Sequence, residues 1–172
     1  GASQVVRLGP GFTNSDFSIY TTLQSTASAT NFVLKDFTIK NSGVYNIDLG
    51  SADFFTLENI ISTGANNSNF RIQGCQNFLV YNCAGNSSVG ESGFAFGGNN
   101  TRLTQKFSFI NCISETNNQS GFDVDANSND MFYGSFVGCR ASSNSIDGFN
   151  FRATSGSALD TTLVNCIANS NS

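Results

Sequence analysis

A short pattern of apolar and polar positions recurs along the chain. It runs apolar, any residue, turn-forming residue, column residue, any residue, small residue, and its clearest copies are 57–62, 80–85, 109–114, 136–141 and 163–168. The column residues are Ile60, Cys83, Cys112, Cys139 and Cys166, which are 23, 29, 27 and 27 residues apart. A repeat of this length predicts stacked structural units.

The residue before each column position predicts a sharp corner. These residues are Asn59, Asn82, Asn111, Gly138 and Asn165. Asn and Gly both tolerate the left-handed backbone conformation. A looser copy at 31–40 places Asp36 at the corner and Phe37 in the column, which gives the column six members.

A second motif lies downstream of each corner and alternates apolar with other residues. Its copies are 45–48, 70–73, 94–97, 122–125 and 149–152. Alternation of this kind predicts strands with one buried face. The two motifs advance together while the polar loops between them vary in length, as expected for successive coils of a solenoid.

The sequence therefore predicts an all-β fold, a parallel β-helix with about 23–29 residues per rung and roughly six rungs. A leucine-rich repeat would need many more leucines, and a β-sandwich would not keep a fixed phase of this length. We expect residues 1–30 to form an N-terminal strand and loop that lead into the solenoid, and residues 31–172 to form the β-helix. No capping element follows the last column cysteine, so we expect either a fragment of a longer solenoid or an unusual end that a partner covers.

Composition supports strands and corners and excludes several partners. The 172 residues include 17 Phe, 23 Asn, 17 Gly and one Pro, with no Trp or His. A net charge of −4 without any basic cluster argues against nucleic acid. No apolar run is long enough for a membrane span, and no signal peptide is visible. Bare anionic polymers would be repelled unless a cation bridged them.

The five cysteines do not predict a metal or redox site. Four lie in the column, where they are interpreted as small apolar core residues. Parallel stacked side chains disfavour disulfides, and the absence of Cys-x-x-Cys spacing disfavours zinc. We therefore expect no cofactor and no metal. Without histidine, carboxylates are the candidate acid and base groups.

The Asn-Cys corners (Phe109-Ile110-Asn111-Cys112) and the Gly-Phe strands (Gly121-Phe122-Asp123-Val124) resemble the pectin-lyase-like right-handed β-helix superfamily. That superfamily includes pectate lyases, polygalacturonases, alginate epimerases and phage tailspikes. The resemblance covers about residues 31–169 and consists of packing and corner residues. It implies a right-handed helix that recognises polysaccharide on an outward sheet face.

The family's known catalytic motifs are absent. The Asn-Thr-Asp, Asp-Asp, Gly-His-Gly and Arg-Ile-Lys motifs of polygalacturonases do not occur, nor does the Asp-Pro-His-Glu of alginate epimerases. Activity is therefore left open. If the chain is an enzyme, the resemblance implies a polysaccharide hydrolase or lyase.

Candidate site residues come from the outward positions of the second motif. Ala95 and Gly97 predict a bare floor between Arg71 and an Asp pair. Asp123 and Asp125 are the candidate catalytic residues, about 6–7 Å apart by strand rise, a separation suited to glycoside hydrolysis. Arg152 would hold Asp125 ionised or bind a sugar carboxylate. The candidate substrate-binding residues are Asn46, Asp48, Arg71, Gln73 and Asn150. The alternative is a solvated polar face.

Two further sequence patterns, a calcium-loop spacing and a set of aromatic residues, give weaker signals. Asp123-x-Asp125-x-Asn127 opens like a calcium loop, but Ser128 and Gly134 occupy the positions that need Gly and Glu. A looser calcium site with Asp130 is the remaining form of this hypothesis. Phe12, Tyr20, Tyr81 and Tyr133 are candidate stacking platforms for sugars, although such residues commonly cover a core.

Three functions fit the sequence. The first is a glycan-recognising β-helix of tailspike or adhesin type, the second a polysaccharide depolymerase and the third a purely structural shaft. The tailspike reading implies a homotrimer at an extracellular or virion surface.

Overall fold

The computed structural model describes residues 4–7, 13–14, 19–21, 29–97, 103–126, 131–153 and 158–172. Every element in these ranges is a β-strand, and every strand pair in them is parallel. The strands form two sheets that wind around one core. Among the described residues, no helix is long and apolar enough to cross a membrane.

Sheet I is the larger sheet. Its strands are β1 (Gln4–Arg7), β2 (Thr13–Asn14), β4 (Thr30–Lys40), β6 (Asp53–Thr63), β8 (Gln76–Tyr81), β9 (Ala84–Asn86), β11 (Gln105–Ile110), β12 (Ile113–Glu115), β14 (Met131–Val137), β15 (Arg140–Ser142), β17 (Ala158–Val164) and β18 (Ile167–Asn169). The order is β17-β14-β11-β8-β6-β9-β12-β15-β18, and β4 pairs with β6, β1 and β2. Long strand β6 therefore pairs with both β8 and β9, which the next corner separates.

Sheet II carries the second motif. Its strands are β3 (Ile19–Thr21), β5 (Ile47–Gly50), β7 (Phe70–Gln73), β10 (Phe94–Gly97), β13 (Phe122–Ala126) and β16 (Phe149–Ala153). Their order in the sheet is β16-β13-β10-β7-β5-β3. Since neighbouring strands come from successive coils, the fold is a parallel β-solenoid, as the repeat predicted.

The corners have the predicted left-handed backbone. The φ angles are +60° at Asp36, +54° at Asn59, +53° at Asn82, +53° at Asn111, +63° at Gly138 and +52° at Asn165. Only a residue that tolerates this region allows the chain to turn there without strain. The prediction of a corner before each column residue is confirmed at all six positions.

The column residues fill the core, as predicted. Cys83, Cys112 and Cys139 are buried, Cys166 is half-buried at the last coil, and all are free thiols. Burial raises the pKa of the Cys83 thiol to about 12. Such a thiol stays protonated at neutral pH and is a poor nucleophile.

Stacked phenylalanines make up much of the remaining core. Phe70, Phe94, Phe122 and Phe149 stack along sheet II with ring centroids 4.5, 4.9 and 4.8 Å apart. These distances match the spacing of neighbouring strands, because in-register parallel strands place equivalent side chains over one another. Each buried ring contributes about 2–3 kcal/mol of hydrophobic stabilisation.

A ladder of asparagines, all buried except the half-buried Asn171 at the last coil, lies inside the polar turns. Its members are Asn46, Asn69, Asn117, Asn144 and Asn171. Asn117 Nδ2 donates to Asn144 Oδ1 at 2.9 Å, and Asn117 Oδ1 accepts from the Ser88 backbone NH at 2.9 Å. The amides thereby satisfy buried groups from coil to coil, and the turns are packed structure rather than loose loops.

The N-terminal strands extend both sheets by pairing. β1 and β2 pair with β4, and β3 pairs with β5. The expected surface loop at 21–30 lies mostly outside the described residues, and the boundary at residue 30 stays a prediction.

Candidate functional site

Two rows of outward side chains cross the described part of sheet II. Strand pairing aligns Asp48, Arg71, Ala95, Asp123 and Asn150 in the first row. It aligns Gly50, Gln73, Gly97, Asp125 and Arg152 in the second. Seven of the eight predicted site residues therefore share one face, but Asp48 lies in the row of Arg71 and not in the predicted row of Gln73.

The middle strand of this face is nearly bare. Ala95 offers only a methyl group, and Gly97 offers no side chain. A Cβ at residue 97 would lie 2.6 Å from the Asp125 carbonyl oxygen, so the backbones of β10 and β13 approach too closely for a larger residue. Strand β10 thus forms a floor with taller side chains on both sides.

Arg71 forms one side of the floor. Its Nη1 donates to Asp48 Oδ2 at 2.9 Å, its Nη2 donates to Gln73 Oε1, and its Cζ lies 4.8 Å from the centre of the Tyr45 ring. Burial raises the pKa of Asp48, while the Arg71 charge and hydrogen bond oppose that rise. These contacts fix the guanidinium along the edge of the floor.

Arg152 and two carboxylates form the other side. Arg152 Nη2 lies 3.0 Å from Asp123 Oδ2 and 3.5 Å from Asp125 Oδ2, and Asn150 Nδ2 donates to Asp123 Oδ1 at 3.0 Å. Burial is the largest influence on Asp123 and raises its pKa, against the opposing effect of Arg152. The sequence predicted that Arg152 would hold Asp125 ionised, whereas the closer contact of Arg152 is to Asp123.

Two turns complete a groove over the floor. Glu91 and Gln119 line it together with Tyr45, and its volume is about 240 Å³. Ser68 Oγ donates to Glu91 Oε2 at 2.7 Å, and Gln119 Nε2 donates to the Gly90 carbonyl at 3.1 Å. We call this depression, between Arg71 and Asp123 with β10 as its floor, the sheet II groove.

The prediction that Asn46 faces outward is wrong. The residue is fully buried, and its Nδ2 donates to Ser62 Oγ and to the Thr63 carbonyl, both at 3.0 Å. The sequence alignment paired Tyr45 with Phe70, but the structure pairs Ile47 with Phe70. Asn46 consequently lies before the strand, where it turns inward as a member of the asparagine ladder.

Sequence reasoning missed Tyr45, Glu91 and Gln119 as groove residues. Glu91 and Gln119 occupy equivalent positions, each three residues before the first Phe of a sheet II strand, but the alternation of the strands does not predict where a turn side chain points. Tyr45 was assigned to an inward position by the misaligned register. The shared position of Glu91 and Gln119 before the Gly-Phe pairs was the available signal.

The weaker candidates do not converge on the groove. Tyr81 and Tyr133 are partly exposed on sheet I, away from the floor. The side chains of Phe12 and Tyr20 lie outside the described residues, as do Asn127, Ser128 and Asp130 of the calcium hypothesis. Among the side chains that the structure describes, no three His, Cys, Asp or Glu residues form a metal-binding group.

The fold is shared with two kinds of solved protein. The periplasmic alginate epimerase AlgG matches with a TM-score of 0.62 at 12% identity over 80% of this chain, and its T265N mutant matches with a TM-score of 0.63 at 11% identity. Pectate lyase Pel9A matches with a TM-score of 0.53 at 15% identity over 89% of this chain. The chain spans 34% of the epimerase and 47% of the lyase. No family model and no curated protein sequence matches it.

The architecture and these likenesses together define the class. The chain has a parallel β-helix fold, as the epimerase and the lyase have. At these identities the likeness concerns the fold, so function has to be argued from the groove itself.

Proposed function

We propose that this chain is a polysaccharide-binding β-helix that holds a glycan segment in the sheet II groove. The observation that carries the proposal is the bare floor of Ala95 and Gly97 between two rows of polar side chains. A flat floor accepts a sugar ring, and amide, carboxylate and guanidinium groups at its edges can hydrogen-bond hydroxyls. The neighbouring epimerase and lyase, which by name act on alginate and pectate, support a polysaccharide as the ligand class.

The charged side chains of the groove are held in place by their neighbours, which favours ligand recognition over chemistry that needs side-chain movement. Arg71 is held by Asp48, Gln73 and the Tyr45 ring before any ligand arrives. Asp123 is likewise held by Arg152 and Asn150. Side chains that are already ordered lose little conformational entropy on binding, which favours affinity.

Blocking the floor tests this proposal. The purified chain is screened on a glycan array, and the tightest ligand is then titrated by calorimetry against Ala95→Tyr. The outward ring of this variant fills the groove, and we expect at least a tenfold loss of affinity. Thr56→Tyr is the matched control, because Thr56 lies on sheet I away from the groove. Equal affinity of Ala95→Tyr and the wild type would place glycan binding elsewhere, and no binding on the array would contradict the proposal.

A depolymerase is the second candidate function. It is favoured by the raised pKa of Asp123 beside Asp125 on the same strand face, since paired carboxyl groups in different environments can act as acid and base. In this candidate Asp123, Asp125 and Arg152 are the reacting or assisting groups. Asp123→Asn and Asp125→Asn should then abolish depolymerisation of any polymer that the chain cleaves. Unchanged cleavage would rule out the assignment.

We also propose that this glycan-binding β-helix is of tailspike or adhesin type. It implies a homotrimer at an extracellular or virion surface, whereas a purely structural shaft would show no glycan binding at all. Sedimentation equilibrium measures the mass in solution. A trimer that binds glycan supports the setting, and a monomer that binds glycan removes the tailspike form while leaving recognition intact.

A further inference from the structure

We infer that the sheet II groove selects an uncharged glycan and discriminates against polyuronates. This inference rests on the proposed function, because it concerns which polysaccharide the same groove accepts. It follows from how the two guanidinium groups are already engaged and from the number of carboxylates around them.

Arg71 has little positive charge to offer a ligand. Its Nη1 is 2.9 Å from Asp48 Oδ2, and the Asp48 side chain is only 11% exposed. A ligand carboxylate that drew Arg71 away would take its positive charge from this mostly buried carboxylate, which is costly. Arg71 therefore stays with Asp48 and acts as a neutral pair.

Arg152 is shared between two carboxylates. Its Nη2 lies 3.0 Å from Asp123 and 3.5 Å from Asp125. One guanidinium charge cannot neutralise two carboxylates, so when both acids are ionised this side of the groove is negative. A third carboxylate, on the ligand, would share this single positive charge with both.

Glu91 adds a further negative charge at the rim. Its Oε2 accepts from Ser68 Oγ, a neutral hydroxyl that stabilises the carboxylate without cancelling its charge. Among the residues that the structure describes, the groove lining thus contains Glu91, Asp123 and Asp125 against Arg71 and Arg152, within a chain of net charge −4. A polymer with one carboxylate per sugar would place like charges beside these groups, which lowers affinity.

The remaining groove groups suit hydroxyls. The Asp125 side chain is 35% exposed, so it can accept from a sugar hydroxyl. Gln73 and Gln119 bring amide groups to the same space, and the Tyr45 ring adds an apolar surface. This set of groups recognises a neutral hexose or acetamido sugar without needing a ligand charge.

The inference is tested with defined polymers in low salt with a chelator present, so that no divalent cation bridges two acids. The probes are neutral glucan, mannan, galactan and chitin oligomers, compared with polygalacturonate and alginate. The test variant is Asp125→Asn with Glu91→Gln, which removes two groove carboxylates. The control is Glu58→Gln with Asp160→Asn, which changes the net charge equally on sheet I.

We expect the wild type to bind a neutral probe and to bind both polyuronates at least tenfold more weakly. The groove variant should gain roughly fivefold or more in polyuronate affinity, while the sheet I variant should not. Tighter binding of a polyuronate than of any neutral probe by the wild type would overturn the charge selection and leave glycan binding intact. An equal gain in both variants would assign the effect to overall charge and also overturn it. Binding of no probe would contradict the proposed function itself.

Discussion

The Arg152 guanidinium lies 3.0 Å from the Asp123 carboxylate, yet burial still raises the pKa of Asp123 above its ordinary value of 3.8. Desolvation of the charged form therefore outweighs its attraction to arginine. The groove keeps a carboxylate where folding disfavours its ionisation, which is typical of a residue retained for recognition or chemistry.

Asp123 should make the protein more stable in acid. A carboxyl whose pKa is higher in the folded state binds its proton more tightly there, so its contribution is complete below pH 3.8 and is lost as the pH rises through the raised pKa. Chemical denaturation from pH 3 to pH 8 should show that the free energy of unfolding of the wild type falls with pH relative to Asp123→Asn. Asp160→Asn, at an exposed site, should follow the wild type. A free energy of unfolding of the wild type that instead rises with pH relative to Asp123→Asn would contradict the pKa direction.

The asparagine ladder should carry substantial stability. Asn117→Ala removes the donations to the Gly85 carbonyl, Ser114 Oγ and Asn144 Oδ1, and it takes away the side-chain oxygen that accepts from the buried Ser88 NH. We expect a loss of about 2–4 kcal/mol in the free energy of unfolding. The neighbouring Asn118 is exposed, so Asn118→Ala should change it by less than about 0.5 kcal/mol. Similar effects of the two substitutions would show that the ladder is not structural.

The corner at Asn111 should accept glycine but not a β-branched residue. Its φ of +53° costs an ordinary L-residue about 1–2 kcal/mol, whereas glycine adopts it freely. Urea denaturation should therefore rank Asn111→Gly close to the wild type and Asn111→Val lower by at least that amount. Equal stability of the two variants would mean that the corner backbone adapts.

The phenylalanine stack should be sensitive at its centre. Phe122 is fully buried between Phe94 and Phe149, so Phe122→Ala should cost about 3–5 kcal/mol. Phe54 is 57% exposed, and Phe54→Ala is the matched control with an expected effect below about 1 kcal/mol. Thermal melting of both variants checks the prediction, and a small effect at Phe122 would contradict the stacked core.

Repeating positions explain why so much of the fold was predictable. Each corner residue and each column residue occupies the same environment in every coil. Asn111 and Cys112 therefore predict the same corner and the same core position as Asn82 and Cys83. The outward direction of the side chains from Arg71 to Arg152 was predicted from the same repeat, because side-chain direction alternates along a strand.

The errors arose where the phase breaks. Asn46 was assigned to the surface because the second motif set Tyr45 at the inward position of Phe70, but its amide accepts from the buried Ser42 backbone NH and donates to Asn69. The ladder asparagine also changes its position relative to the strand that follows it. Asn69 directly precedes β7, whereas Gly93 holds that position before β10 and Asn117 lies several residues before β13. Glu91 and Gln119 depend on turn geometry, which the alternation of the strands does not encode.

Carboxyl footprinting tests the central claim that the sheet II groove holds the glycan. Wild-type protein is labelled with a water-soluble carbodiimide and an amine, with and without the tightest neutral glycan, and the modified residues are quantified by mass spectrometry. The account predicts that the glycan protects Asp125 and Glu91 at the groove and leaves Glu58 and Asp160 on sheet I unchanged. Protection of Glu58 or Asp160 with continued labelling of Asp125 and Glu91 would place the glycan on the other sheet and contradict the account.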